Sequence, residues 1–225
     1  QSQQATKDIP SGPFPAGMQR VHTLHLHFHF SELMGPPFKI LELGDGTILV
    51  SDELNHRLLR FDSSGELIWQ LGGKGNTLGK FYYPRGIAVA GGEIFVCDSW
   101  NHRIQVLDMG AHPLRSLGTT DTGQALFDEC SDVEIDPQGR LWVVDTGNHC
   151  LKILNREGQW IQTIGRRLSR LEEEALHGSL NYGLGPDVNP GFCYPHRFLI
   201  QYPFGFCVDD RGNDRLMLLN QEGYL

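Results

Sequence analysis

Short apolar runs punctuate this chain at a regular interval, and each ends in the same polar signature. Ile48-Leu-Val, Ile94-Phe-Val and Leu141-Trp-Val lead into Asp52, Asp98 and Asp145. After two intervening residues comes Asn-His, then Arg or Cys: Asn55-His56-Arg57, Asn101-His102-Arg103 and Asn148-His149-Cys150. The three Asn residues lie 46 and then 47 positions apart. A weaker fourth copy, Asp210-Arg-Gly-Asn213-Asp-Arg215, follows 65 positions after Asn148. A self-similar period of this length marks a repeat architecture, so the repeat has to be read before any single segment.

Each Asn is followed by another apolar run: Leu58–Phe61, Ile104–Leu107, Leu151–Leu154 and Leu216–Leu219. A turn rich in Gly, Asp or Asn comes next, then a run ending in Gly at Gly72, Gly118 and Gly165. Upstream lie Gly86–Val89, Val133–Ile135 and Gly205–Val208. Four short strands in about 40–50 residues make one blade of a β-propeller. Period-two alternation buries one face of each blade sheet against its neighbour. Asn tolerates left-handed backbone, which places Asn55, Asn101, Asn148 and Asn213 at the corner between the second and third strands. Asp52, Asp98, Asp145 and Asp210 are expected to cap that corner. Arg57, Arg103 and Arg215 are expected to bond carbonyls or carboxylates close by.

The Asp-x-x-Asn-His signature, its period and its flanking strands resemble the NHL repeat family. The resemblance is strong over residues 37 to 165 and weaker over 202 to 225. It implies an all-β fold, a β-propeller of NHL type with four recognisable blades of about 46 residues. Members of the family are commonly six-bladed, so the ring is expected to be incomplete or open, or to be completed by other strands. An unclosed ring leaves sheet edges and faces that something must cover, which is itself a reason to expect a partner.

Two departures interrupt the repeat. From Pro84 to Asn101 is 17 residues, whereas from Pro203 to Asn213 is 10, so the fourth blade reads as compressed, short by most of one strand. Between Gly165 and Pro203 the link is far longer than that between Gly72 and Pro84, and 166–201 is read as an insertion. Within it, Leu168, Leu171 and Leu176 recur at near-helical spacing, predicting a short helix, and 181–194 is rich in Gly and Pro and predicts a loop. Insertions in repeat proteins map to loops on one face, often the binding face. Residues 1–20 form a polar N-terminal arm, and the propeller with its insertion occupies 21–225.

Composition narrows the partners. A formal net charge of −8 argues against a nucleic-acid backbone as ligand. The one dense basic stretch, Arg166, Arg167 and Arg170, runs at once into Glu172, Glu173 and Glu174 and reads as a solvated helix face. No apolar run is long enough for a membrane-spanning helix. The chain starts at Gln1 without an initiator Met, which suits a mature exported protein or a trimmed piece, with a cytoplasmic chain as the alternative. Cys97, Cys130, Cys150, Cys193 and Cys207 lack C-x-x-C spacing, so zinc-ribbon and RING arrangements are excluded. Cys97 reads as a small hydrophobe in a strand, and a Cys193–Cys207 disulfide is open.

The sharpest chemical pattern is Val21–Phe30, where His25, His27 and His29 alternate with apolar residues. Imidazoles two apart on a strand can hold zinc or copper. Three in line converge poorly on one ion, and a strand with one buried and one solvated face accounts for the same pattern. His56, His102 and His149 recur once per blade, which marks a structural position and not a catalytic one. Gly72-Gly-Lys-Gly75 lacks the spacing of a phosphate loop and reads as an inter-blade turn. The resemblance therefore implies a non-catalytic scaffold or accessory subunit that binds protein partners through the inserted loop and the N-terminal arm, with Arg166, Arg167, Arg170 and Tyr194 as contact residues. No catalytic residue or required cofactor is assigned. The alternatives are a lyase-like, metal-dependent propeller enzyme using His residues near the channel and, against the charge, an RNA-binding NHL propeller.

Overall fold

The structure, a computed structural model, describes residues 37–119, 123–166, 192–202 and 205–220. Its strands fall into four antiparallel sheets, each built from consecutive strands in chain order. The first sheet holds β1 (Lys39–Glu42), β2 (Ile48–Asp52), β3 (Arg57–Phe61) and β4 (Leu67–Gly72). The second holds β5 (Pro84–Ala90), β6 (Glu93–Asp98), β7 (Arg103–Asp108) and β8 (Pro113–Leu117). The third holds β9 (Cys130–Ile135), β10 (Leu141–Asp145), β11 (Cys150–Leu154) and β12 (Trp160–Ile164). The fourth has three described strands, β13 (Arg197–Tyr202), β14 (Gly205–Asp210) and β15 (Arg215–Asn220).

Turn chemistry fixes the hairpins. Asp62 Oδ1 accepts the Ser64 and Glu66 N–H groups at 2.8 and 3.0 Å. Asp108 Oδ1 does the same for Gly110 and His112, both at 2.9 Å. A carboxylate that accepts its own turn's backbone N–H groups favours chain reversal in these Gly-containing segments. In all three complete blades the pairing of the third and fourth strands slips at the same place, next to Phe61, Leu107 and Leu154. The repeated bulge bends each outer strand, as an extra unpaired residue does.

The sheets pack face to face through three apolar layers. Leu49 and Leu58 of blade 1 meet Phe81, Ile87, Ile94, Val96 and Leu107 of blade 2. Phe95, Cys97, Ile104 and Val106 of blade 2 meet Phe127, Cys130, Val133, Leu141 and Val143 of blade 3. Trp142, Val144, Leu151 and Ile153 of blade 3 meet Phe192, Phe206, Val208 and Leu219 of blade 4. Phe81, Phe127 and Phe192, from the segments that lead into blades 2, 3 and 4, are at most 2% exposed and plug one boundary each. Burying such a side chain contributes about 2–3 kcal/mol.

The fourth blade corrects the sequence reading. Its first strand is Arg197–Tyr202, and Gly205–Asp210 is the second, paired with it from Tyr202↔Gly205 to Arg197↔Asp209. The counterpart of Pro84 is therefore Pro195 and not Pro203. From Pro195 to Asn213 is 18 residues, against 17 from Pro84 to Asn101, so no strand is missing between these two points. The insertion correspondingly ends before Phe192, which leads into blade 4, and not at 201. The predicted helix over 167–177, the N-terminal arm and the His-rich strand lie outside the described residues. Among the described residues no helix is long and apolar enough to cross a membrane.

Candidate functional site

Each Asp-x-x-Asn corner is a compact polar knot. Asp52, Asp98, Asp145 and Asp210 are all fully buried. Asn55, Asn101, Asn148 and Asn213 donate their side-chain amide N–H to the Asp of the same blade at 2.8–3.0 Å. Arg57, Arg103 and Arg215 donate Nε to Asp52, Asp98 and Asp210 at 2.9, 2.8 and 2.7 Å. In blade 3 Cys150 stands where the others have Arg, and Lys152 takes over the ion pair with Asp145 at 2.6 Å. Burial pushes the Asp145 carboxyl up, and Lys152 and Asn148 pull it back. The other carboxylate oxygen holds the lead-in of the same blade: it accepts Tyr82 N–H (2.7 Å), Asp128 N–H (2.7 Å) and Cys193 N–H (2.8 Å).

The left-handed residue at each corner is not Asn. It is the next residue, His56, His102, His149 or Asp214, with φ of 55°, 53°, 54° and 49°. Asn instead sits in a short 3₁₀ turn in blades 2 to 4, with its amide directed at Asp. The left-handed backbone aims each imidazole at the following blade. His56 Nδ1 accepts Tyr83 N–H (3.1 Å), His102 Nδ1 accepts Glu129 N–H (3.3 Å) and His149 Nδ1 accepts Tyr194 N–H (3.2 Å). The Asp thus fastens a blade to its own lead-in, and the His fastens it to the next. Burial, then the Lys74 cation, depress the His56 pKa, which keeps this nitrogen an acceptor.

These corners and lead-ins lie at one end of the sheets, and that end carries exposed aromatic and apolar side chains. Leu54 and Trp100 occupy the same position in the first two corners and are 56% and 45% exposed. Trp100 packs its ring against Tyr82 and Tyr83 at 5.1 and 5.0 Å, Tyr82 and Tyr83 stack at 5.1 Å, and Lys74 Nζ lies 4.5 Å above Tyr82. Two blades further on, Tyr194 repeats the Tyr83 position. It packs on His149 at 4.2 Å and is 51% exposed. Arg166, exposed, follows Gly165 beyond β12 at this same end. Arg167 and Arg170 lie outside the described residues, as do His25, His27 and His29.

A second cluster lines the axis and was not foreseen. Lys39 on β1 reaches past blade 2 to Asp132 and Glu134 on β9, at 2.8 and 2.6 Å. Asp132 Oδ2 accepts Phe198 N–H of blade 4 at 3.0 Å. A Cβ on Gly86 of blade 2 would stand 2.4 Å from Asp132 Oδ1, so only glycine lets β5 approach this carboxylate. Asp132 therefore touches all four blades. Burial raises the Asp132 and Glu134 carboxyls and Lys39 opposes the shift, while the two carboxylates hold the Lys39 ammonium above its usual range despite burial. Phe38 of blade 1 also meets His196 of blade 4, with rings 5.3 Å apart. At the opposite mouth of the axis a cavity of about 290 Å³ opens between Leu41–Gly44, Ala88, Val89, Glu134 and Ile135.

All five cysteines are buried free thiols; Cys193 lies in the lead-in to blade 4, and Cys207 on β14. Among the described residues, no three His, Cys, Asp or Glu side chains gather as a metal site.

Four-stranded antiparallel sheets stacked face to face around an axis lined by their first strands define a β-propeller. Its repeat is specific. The NHL repeat profile matches residues 81–107 and 127–154, the Asp-x-x-Asn-His blades 2 and 3. The chain is 29% identical over 151 residues to human NHL repeat-containing protein 3, covering 63% of this chain and 42% of that protein. It is 29% identical over 121 residues to Protein brain tumor of Drosophila melanogaster, covering 52% of this chain and 11% of that one. It thus spans about two fifths of the length of the first of these relatives. Among solved structures, virginiamycin B lyase from Staphylococcus aureus superposes with a TM-score of 0.57 at 12% identity, over 83% of this chain and 53% of the other. That identity shows a shared fold alone. The chain is thus a β-propeller that carries NHL repeats in blades 2 and 3.

Proposed function

We propose that this propeller is a non-catalytic interaction scaffold, an accessory subunit that holds a protein partner on the end bearing the Asp-x-x-Asn-His corners. The observation that carries the reading is the exposure of Leu54, Trp100 and Tyr194 at that one end, at 56%, 45% and 51%. Trp and Tyr anchored by neighbours but open on one face are the side chains that dominate protein interfaces. Here His149 backs Tyr194, and Tyr82 and Tyr83 back Trp100. The corners beneath are locked by buried ion pairs, so the surface is pre-organised and little ordering is left for binding. Arg166, exposed beyond β12, adds a cation to the same end.

The test is the native mass of the assembly purified gently from its source, followed by affinity measurement with the partner it contains. Trp100→Ala combined with Tyr194→Ala should weaken that partner by about 30-fold or more, as loss of an interface anchor does. Circular dichroism should be unchanged, since both side chains are half exposed. A partner held with unaltered affinity by the double variant, or a chain that purifies alone, would count against the scaffold.

A further inference from the structure

The boundary between blades 2 and 3 contains two thiols that the scaffold reading does not use. Cys97 lies on β6 opposite Ile104, and Cys130 opens β9. Both are fully buried in the apolar layer that joins the two blades. They belong to one buried cluster, and the strands that carry them, β6 and β9, pack against each other. Cys130 Sγ also donates to Arg103 O at 3.4 Å, and Arg103 precedes the Ile104 that faces Cys97, so several contacts place both sulfurs at one corner of the interface. Cys150, by contrast, lies beside Asp145 and Lys152.

We propose that Cys97 and Cys130 join as an inter-blade disulfide when the chain folds in the presence of a low-molecular-weight disulfide. One protein thiolate attacks the small disulfide, forming a mixed disulfide and releasing one small thiol. The second protein thiolate then attacks the protein-bound sulfur, forming the Cys97–Cys130 bond and releasing the other small thiol. Two protein thiols are oxidised and one small disulfide is reduced to two thiols, which carry off the two protons. In the closed, reduced fold, burial and then the Cys130 contact push the Cys97 thiol well above its ordinary range. A thiol so shielded is inert, so the exchange belongs to folding, before blades 2 and 3 close on each other.

The experiment is refolding of the full chain with oxidised and reduced glutathione, against refolding under reductant, followed by alkylation and tryptic digestion without reduction. Cleavage after Lys and Arg leaves Cys97 in peptide 86–103, Cys130 in 116–140, Cys150 in 141–152, Cys193 in 171–197 and Cys207 in 198–211, so each pairing has its own mass. The expected product is 86–103 linked to 116–140. The bond closes a 33-residue loop, which should raise the thermal midpoint of the oxidised protein by about 10 °C over the reduced one. Cys130→Ala should abolish both the linked peptide and the difference in midpoint. Recovery of 86–103 and 116–140 as separately alkylated peptides, or linked to other cysteines, overturns the assignment. A linked protein that melts below the reduced one overturns the claim that the bond fits the folded interface.

Discussion

Replacing Asp98 by Asn changes one atom and retains the volume, yet it should be among the most damaging substitutions in this protein. The Asp98 carboxylate receives only donors: both oxygens take the Asn101 amide at 3.0 and 2.9 Å, Oδ2 takes Arg103 Nε and Gln105 Nε2 at 2.8 Å each, and Oδ1 takes Tyr82 N–H at 2.7 Å. An amide at this position must turn its NH₂ toward one of these sets. If nitrogen replaces Oδ2, it faces Arg103 and Gln105; if it replaces Oδ1, it faces the Tyr82 N–H. In either orientation a buried donor loses its acceptor, and the Arg103 guanidinium, whose side chain is 16% exposed, loses its counter-ion. Removing one partner of a buried ion pair costs about 3–5 kcal/mol. For a chain of 225 residues that corresponds to a fall of roughly 10 °C in thermal midpoint. Urea unfolding at pH 7 followed by far-UV circular dichroism measures the loss directly. Asp45→Asn is the control, because Asp45 also pairs with an arginine, Arg60 at 2.8 Å, but with its own side chain 54% exposed. A loss below about 1 kcal/mol in the Asp98 variant would refute the idea that the corner is held by this charge.

Two further outcomes follow from the ionisable groups. Lys39→Met leaves Asp132 and Glu134 buried without their cation. Carboxyls raised in the fold contribute stability that is present below their unfolded pKa of about 4 and is lost as pH rises through the folded value. The variant should therefore fall furthest behind wild type at pH 7.5 and recover toward pH 5, in urea midpoints taken across that range; a pH-independent gap would sink the argument. His56→Ala removes the acceptor for Tyr83 N–H. The His56 pKa is depressed, so its contribution is complete above the unfolded value of about 6.5 and fades as pH drops through the folded one. The variant should then lag wild type most at pH 8 and least at pH 5, and the reverse order would show that the imidazole does not act as the acceptor.

The blades were legible because each one repeats a local solution. Alternating apolar runs, Asp- or Asn-led turns and the Asp-x-x-Asn-His corner are all encoded within a few residues of where they act, and they return every 46 or 47 positions. What failed was anchoring across the long link before blade 4. Pro203 falls in sequence between β13 and β14, whereas Pro195 follows Phe192 at the spacing by which Pro84 follows Phe81. Phe-x-x-Pro is the better anchor for a physical reason: the Phe must plug a blade boundary, so its distance from the first strand is fixed by packing, whereas a lone Pro is tolerated wherever a strand ends. The role given to Asn failed more subtly. Asn and His both tolerate left-handed backbone better than most residues, but only one side chain per corner can reach the next blade, and Asn is already committed to its Asp. Asp132 was invisible for the opposite reason. Its partners Lys39, Gly86 and Phe198 come from three other blades, and nothing within one repeat announces a residue whose contacts exist only once the blades share an axis. Aromatic exposure at Trp100 and Tyr194 belongs to the same class. Each residue sits at an ordinary repeat position, and only the stacking of blades brings the two positions to the same end of the sheets.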